Sequence, residues 1–388
     1  MANTIGKAQA APADSSPQWA LREKLLLAPY AMFSVRSAGR KHPESDHAYR
    51  SPYQRDRDRI LHCAAFRRLS GKMQVFTGDM GDYHRTRLTH THEVATIART
   101  IGRVLRLNED LIEALALLHD IGHPPFGHSG EETLCECLGI PHGFSHNQFA
   151  LTLVEELETR YTVYPGLNLS REILEGQDFR ITHQGRTPLL EVQVVDLADS
   201  IAYNAHDADD ALKLGLIELD QLRALELVDQ ALHWTAGAIA STALAERQML
   251  VHHLIDVQVV DLLKQVALQW PDLEQLDSRV AQERGVLLQF SPSLVAQRRA
   301  FASFLFEQVY RHPQLVAVRR QASYKIRQLF DRLTDSPSLL PERFRLRAHS
   351  LGLPRAACEY IAGMTDRFFN EQYRRLIELG EDVAADWQ

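Results

Sequence analysis

The run HDIGHPPFGH places His119, Asp120, His123 and His128 within ten residues, broken by two prolines and two glycines. Apolar packing gives no reason for so polar and rigid a stretch, so it reads as a place for chemistry. Imidazole nitrogens and carboxylate oxygens are donors for hard and borderline divalent cations. Two more donors stand far off in sequence: His90 in HRTRLTHTHEVA and Asp199 in DLADSIAY. Each of the three pieces lies on, or at the end of, a helical pattern. Adjacent helix residues point about 100° apart, so an imidazole and a shorter carboxylate converge most easily at a helix end, where Gly122 releases the chain. His90, His119, Asp120 and Asp199 would hold one divalent ion and leave positions for water and a substrate oxygen. Such an ion acidifies water or polarises a phosphoryl oxygen, which is what hydrolysis requires.

Other side chains suggest the bond attacked. Between Arg50 and Arg87 the chain sets nine basic residues against four aspartates, an excess that stands out in a protein of net charge −7. A triphosphate carries roughly four negative charges, and guanidinium forks are the usual way to hold its oxygens. About half of this segment is expected to be a solvated helix face, with pairs such as Asp58 to Arg55 or Arg59. Arg87 lies three residues before His90 and so reaches the ion. Tyr203 lies one helical turn beyond Asp199 and can offer a hydroxyl to phosphate or a ring to a sugar. Asp196, Asp207 and Asp210 on the same helix are expected to be partners of arginines. Glu131 follows His128 by three residues, and a carboxylate beside an imidazole orients the ring and raises its basicity. There is no G-x-x-x-x-G-K-[ST] loop and no G-x-S-x-G elbow, which argues against P-loop and serine-hydrolase chemistry.

The elements that position these groups read as helices throughout, with no convincing alternating strand and no internal repeat. Asn108 is suited to cap a helix whose first turn carries Glu109 and Asp110. That helix should end where Gly122, Pro124 and Pro125 break the ladder. Further helices are expected over 90–107, 190–213, 216–233, 239–268, 293–310, 313–334 and 354–378, with a connector over 338–353. A hydrophobic content of 45% and a charged content of 24% suit a soluble globular chain. The acidic balance gives no global reason to expect nucleic acid or an anionic membrane as partner. No apolar run reaches a membrane span. Residues 1–18 lack the apolar core of a signal peptide and read as a disordered start, so the expected location is the cytoplasm. Cys135 and Cys137 read as ordinary thiols. The division expected is an all-α core over 19–230, with a helical region over 231–388 packed on it.

The order H…HD…D and the loop HDIGHPPFGHSGEE resemble the HD superfamily. The longer runs YRSPYQRDRDRILHCAAFRRLSGKMQVF, HRTRLTHTHEVA, LEVQVVDLADSIAYNAHDADDAL and YIAGMTDRF are similar to its bacterial deoxyguanosinetriphosphate triphosphohydrolase-like branch, over about residues 28–378. The resemblance implies an HD-domain helical bundle with a C-terminal helical extension, a divalent ion (Mg²⁺ or Mn²⁺) on His90, His119, Asp120 and Asp199, and cleavage of a deoxynucleoside triphosphate. It further implies His128, Glu131 and His146 in catalysis, and Gln74, Arg68, Arg87, His123 and Tyr203 on the substrate. Homo-oligomers are expected, as is weak binding of single-stranded nucleic acid. Two positions depart from the pattern. Ser145 replaces a glutamate and would remove a carboxylate partner of His146, and His92 replaces a leucine. One rival is a phosphohydrolase of nucleoside monophosphates or cyclic nucleotides, which would need a smaller cationic site. The other is a nucleotide-sensing or nucleic-acid-binding protein, for which Tyr49, Tyr53 and Phe66 are the candidate stacking aromatics.

Overall fold

Apolar residues spaced three and four apart dominate the sequence, and the computed structural model, which describes residues 17–74, 85–182, 187–233, 243–382 and 385–386, is built from helices. In chain order these are α1 (Gln18–Leu26), α2 (Pro52–Leu61), α3 (Ala64–Arg68), α4 (Arg87–Val104), α5 (Glu109–Leu118), α6 (Gly127–Leu138), α7 (His146–Thr152), α8 (Arg171–Thr182) and α9 (Leu190–Lys213). There follow α10 (Leu219–Arg223), α11 (Glu226–His233), α12 (Ala243–Gln269), α13 (Ser278–Glu283), α14 (Pro292–Leu305), α15 (Pro313–Asp335), α16 (Glu342–Leu351), α17 (Leu353–Ala362) and α18 (Asp366–Tyr373). Among the described residues there is no strand, only the isolated bridges Arg40–Ser170 and Met73–Thr86. No helix of the described residues is long and apolar enough to cross a membrane.

The centre is the packing of α4 against α5 and α9, with α2 and α8 on the outside of α5. Asn108 caps α5, its side chain accepting from Leu111 N–H, and Glu109 and Asp110 occupy the first turn. Thr86 caps α4 in the same way through Thr89 N–H. Val94, Ala98 and Ile101 of α4, Leu111, Ile112 and Leu118 of α5, and Val194, Ala198 and Ile201 of α9 are fully buried. Each large aliphatic side chain so buried contributes about 1.5–3 kcal/mol. One large core joins these helices to residues of α12 and α15–α18. A second core lies between the last turns of α9 (Ala205, Ala208, Leu212), α11, and Leu250, Leu294, Phe301 and Leu305.

Several expected boundaries move. Residue 230 lies inside α11, and residues from 19–230 and from 231–388 contribute to the large core. Residues 1–16 of the expected disordered start lie outside the described residues, and α1 already opens at Gln18. The expected connector over 338–353 contains α16, which ends at Gly352 with φ +84°. The expected helix 354–378 is broken at Gly363, and 216–233 divides into α10 and α11. Helices α2, α3 and α6–α8 escape a periodicity reading. Local caps open two of them: reciprocal Ser51–Gln54 bonds start α2, and Cys63 Sγ accepts from Phe66 N–H at the start of α3. Cys135 and Cys137 are free and half-buried.

The basic segment is largely neutralised, by carboxylates from outside it. Arg55 and Arg59 both bond to Glu44, and Arg57 reaches Asp110 and Glu113 as well as Asp58. Arg85 reaches Glu93 and Asp210, and Asp58 takes Arg50 at 2.9 Å rather than Arg55 or Arg59. Tyr53 and Phe66 are buried, which leaves Tyr49 as the one exposed aromatic of the three proposed for stacking. Glu44 also accepts from Tyr164 Oη and Asn168 Nδ2, both at 2.7 Å. Burial opposes its ionisation, but Arg59 and these donors outweigh that and lower its carboxyl from 4.5 to about 2. This stabilisation is present above pH 4.5 and disappears as pH falls towards 2. Glu44→Gln is therefore expected to destabilise the protein at pH 7 by about 2 kcal/mol. In thermal melts the gap from wild type should close as pH falls below 4.5, and a constant gap would contradict this account.

Candidate metal centre and active site

His90 stands on the first turn of α4, His119 and Asp120 follow the last residue of α5, and Asp199 sits mid-way along α9. Because these helices pack on one another, the four side chains meet. His90 Nε2 is 3.0 Å from Asp199 Oδ1. His119 Nε2 is 3.7 Å from the same oxygen and 3.9 Å from Asp120 Oδ1. Donor atoms of His90, His119 and Asp120 lie within 4.8 Å of one another. His119 Nδ1 is 2.6 Å from the Ala116 carbonyl, which fixes the ring with that nitrogen protonated. Its Nε2 is buried, without a hydrogen-bond partner, and faces two carboxylates. A buried lone pair directed at two anions suits a cation and little else. Only Asp199 is substantially exposed, with 38% of its side chain open, so the cluster opens towards solvent on that side.

Asp120 is held from two directions. Arg87 Nη1 donates to its Oδ2 at 2.8 Å, and its Oδ1 lies 2.8 Å from His123 Nδ1. Burial opposes ionisation, but the Arg87 guanidinium, with a hydrogen bond from His123, outweighs it and keeps this carboxyl well below the usual range. Asp199 is likewise kept low against its burial, mainly by His90. Burial, assisted by Arg87, pushes His123 well down, so its ring is neutral. The close packing depends on two glycines. A Cβ on Gly122 would stand 2.0 Å from the His146 carbonyl, and one on Gly127, whose φ is +60°, would stand 2.7 Å from Arg87 Nη2.

The other histidines of the loop gather on Glu131, in the second turn of α6. The backbone N–H of His146 donates to Glu131 at 2.8 Å, and His146 Nδ1 lies 2.8 and 2.9 Å from its two oxygens. His146 therefore has a carboxylate partner, and the loss expected from Ser145 is made good by Glu131. His146 stacks on His123 with ring centroids 3.8 Å apart. His128 Nδ1 is 3.5 Å from Glu131, and its side chain is 58% exposed. Burial opposes ionisation of Glu131, but bonds from His128 and His146 keep its carboxyl far below the usual range. His92 points to the surface, edge-on to Phe66, and takes no part in the cluster.

Beside His128 opens a cleft of about 630 Å³, bordered by Gln74, Phe126, Tyr203, Tyr310, Arg319 and Arg320. Tyr310 and the arginine pair went unread in the sequence. The pair Arg319-Arg320 stands in a helical pattern that gives no sign of which wall α15 will face. Tyr310 donates its hydroxyl to Asp207, whose carboxyl burial raises to about 7. Asp207 is thus the partner of a tyrosine, whereas Asp196 and Asp210 pair with Arg180 and Arg85 as expected. Arg68 is not among the residues bordering this cleft, and its guanidinium lies 3.9 Å from Glu158.

Residues 87–204 match the HD domain, and residues 288–375 match the phosphohydrolase-associated domain. A deoxyguanosinetriphosphate triphosphohydrolase-like protein of Geobacter metallireducens is 42% identical over 382 residues, covering 93% of this chain and 98% of that one. A protein of the same name from Nitrosomonas europaea is 39% identical, covering 92% and 99%. The chain belongs to the deoxyguanosinetriphosphate triphosphohydrolase-like family of HD-domain proteins. Among solved structures, a hypothetical protein from Aquifex aeolicus aligns over 68% of this chain and 69% of that one at 17% identity, with a TM-score of 0.33. In this HD-domain protein the two matched regions meet at the cleft, since Tyr203 belongs to the first and Tyr310, Arg319 and Arg320 to the second. Replacing Asp199 or Asp120 by alanine should abolish stoichiometric Mn²⁺ retention in elemental analysis of the purified chain, while Tyr203→Ala keeps it. Full retention in both aspartate variants would exclude the cluster as a cation site.

Proposed function

We propose that this protein is a triphosphohydrolase of deoxynucleoside triphosphates, with dGTP the favoured substrate and Mg²⁺ or Mn²⁺ the cation. The observation that carries this reading is one of position. The loop that supplies His119 and Asp120 runs on through His123 to His128, which borders a cleft edged by Arg319 and Arg320. Two of the cation donors and the proposed proton acceptor thus stand on one loop, and that acceptor borders the arginine-edged cleft. The names of the relatives point the same way.

His90, His119, Asp120 and Asp199 would hold the cation, which supplies Lewis acidity towards a phosphoryl oxygen. Water attacks the α-phosphorus, the bond to the sugar O5′ breaks, and the products are a deoxynucleoside and inorganic triphosphate. His128 is open to solvent and backed by Glu131, so it is placed to take the proton from the attacking water. Glu131 stays ionised and orients both His128 and His146. Arg87 donates to Asp120 and to the Gln74 carbonyl, and His123 stands on the other side of Asp120; beside the cation the two would contribute positive charge and an imidazole to the phosphates. Arg319 and Arg320 would meet the outer phosphates. Gln74, whose buried Oε1 has no hydrogen-bond partner, and Tyr203 would contact the nucleoside.

The choice of a triphosphate over a monophosphate rests on the arginines of α15. The Arg50–Arg85 segment carries no weight in it, because carboxylates neutralise most of that segment. Incubation with each dNTP and Mn²⁺ or Mg²⁺ should release inorganic triphosphate and nucleoside in equal amounts. Orthophosphate or monophosphate as the sole product would support the rival instead. His128→Ala should lower kcat by about 100-fold or more with the bound cation retained, and wild-type turnover would remove His128 from the mechanism. Arg319→Ala should raise KM about tenfold, the effect of about 1.4 kcal/mol of lost phosphate binding.

A further inference from the structure

Lys72 is fully buried, and no part of the mechanism above uses it. Its ammonium donates to the His123 carbonyl at 2.5 Å and to the Ala362 carbonyl at 3.1 Å. Ala362 is the last residue of α17, so the ammonium sits at the negative end of a helix. Asp366, in the first turn of α18, makes the reciprocal connection. Its Oδ1 accepts from Phe126 N–H and its Oδ2 from Met73 N–H, both at 3.0 Å. Burial pushes Lys72 well below the ordinary lysine range and Asp366 above the ordinary aspartate range.

The segment they grip is the His123–Phe126 turn between the cation cluster and α6. Phe126 adopts φ +62° immediately before α6 begins. A left-handed conformation costs a residue with a side chain roughly 1–2 kcal/mol and persists only where the surroundings enforce it. Here its N–H is held by Asp366 and its ring meets Phe369 edge-on at 5.1 Å. The contact is also close in space, since a Cβ on Gly71 would stand 2.9 Å from Thr365. The backbone after Lys72 leads into the site as well, because Arg87 N–H donates to the Lys72 carbonyl and Arg87 Nη2 to that of Gln74.

We infer that Lys72 and Asp366 are positioning residues for hydrolysis: the α17–α18 corner, through these two side chains, sets the His123–Phe126 turn and so the placement of His123, His128 and Glu131. This rests on the hydrolytic reading of the site. Neither residue touches substrate. A displacement of about 1 Å in such a group lowers rate on the order of 100-fold, so an imprecisely held turn would bind nucleotide and cation yet turn over slowly.

The test uses the full-length chain with Asp366→Asn and Lys72→Met, and Phe344→Leu as a control that weakens the C-terminal packing away from the turn. All are assayed well below their own melting temperatures. Both clamp variants should lose about 100-fold in kcat with KM little changed, and backbone amides of 123–131 should exchange faster with deuterium. Phe344→Leu should lower Tm and leave kcat and that exchange as in wild type. Wild-type kcat in folded Asp366→Asn overturns the inference, and so does an equal kcat loss in Phe344→Leu. Should Lys72→Met fail to fold, Asp366→Asn, which keeps size and one acceptor, decides alone. If the wild-type chain hydrolyses no nucleotide, the reading of the site fails, and exchange still judges the clamp: unchanged protection of 123–131 in Asp366→Asn overturns it.

Discussion

Asp120 is a buried carboxylate with its two oxygens turned to different partners. One is bonded to Arg87, and the other faces His119 and His123. An isolated buried carboxylate would take up a proton, so its charge survives only because a guanidinium lies beside it. That one pairing orients the oxygen left for a cation. It also keeps Arg87 next to the cluster and joins the first turn of α4 to the end of α5. Asp199 and His90 close the ring from α9 and α4, so the whole donor set depends on three helices packing in register.

The rest of the molecule can be understood as support for that arrangement. The caps at Thr86 and Asn108 decide where α4 and α5 begin, and so which residues reach the cluster. Gly122 and Gly127 let the loop between α5 and α6 pass against His146 and Arg87 without a side chain in the way. The C-terminal region contributes more than cover. It brings Arg319 and Arg320 to the cleft from α15 and secures the far side of the loop from the α17–α18 corner. The HD region holds the whole cation cluster, and the phosphohydrolase-associated region adds the far wall of the cleft.

Much of this could be read before any coordinates. A dense polar loop between apolar helices marks chemistry whatever the fold, which made His119, Asp120, His123 and His128 easy to single out. Helices α5 and α9 were legible because their apolar stripes are continuous, and α5 also opens on the Asn108 cap. Charge was less legible. Counting basic residues between Arg50 and Arg87 ignored Glu44, Glu93, Glu113 and Asp210, which lie elsewhere in sequence and arrive only on folding. The same blindness to long-range pairing hid the Glu131–His146 bond, the Tyr310–Asp207 bond and the arginines of α15. Helices α2 and α6, no shorter than α5, were missed because PYQRDRDRIL and GHSGEETLCECL are largely polar and carry no continuous apolar stripe.

The account stands on a single cation bound where three helices meet. Its most direct test is anomalous X-ray diffraction at the manganese edge from crystals grown with Mn²⁺. One strong anomalous peak bounded by His90, His119, Asp120 and Asp199 is the predicted result. A peak bounded by other residues, or none at saturating Mn²⁺, would contradict it.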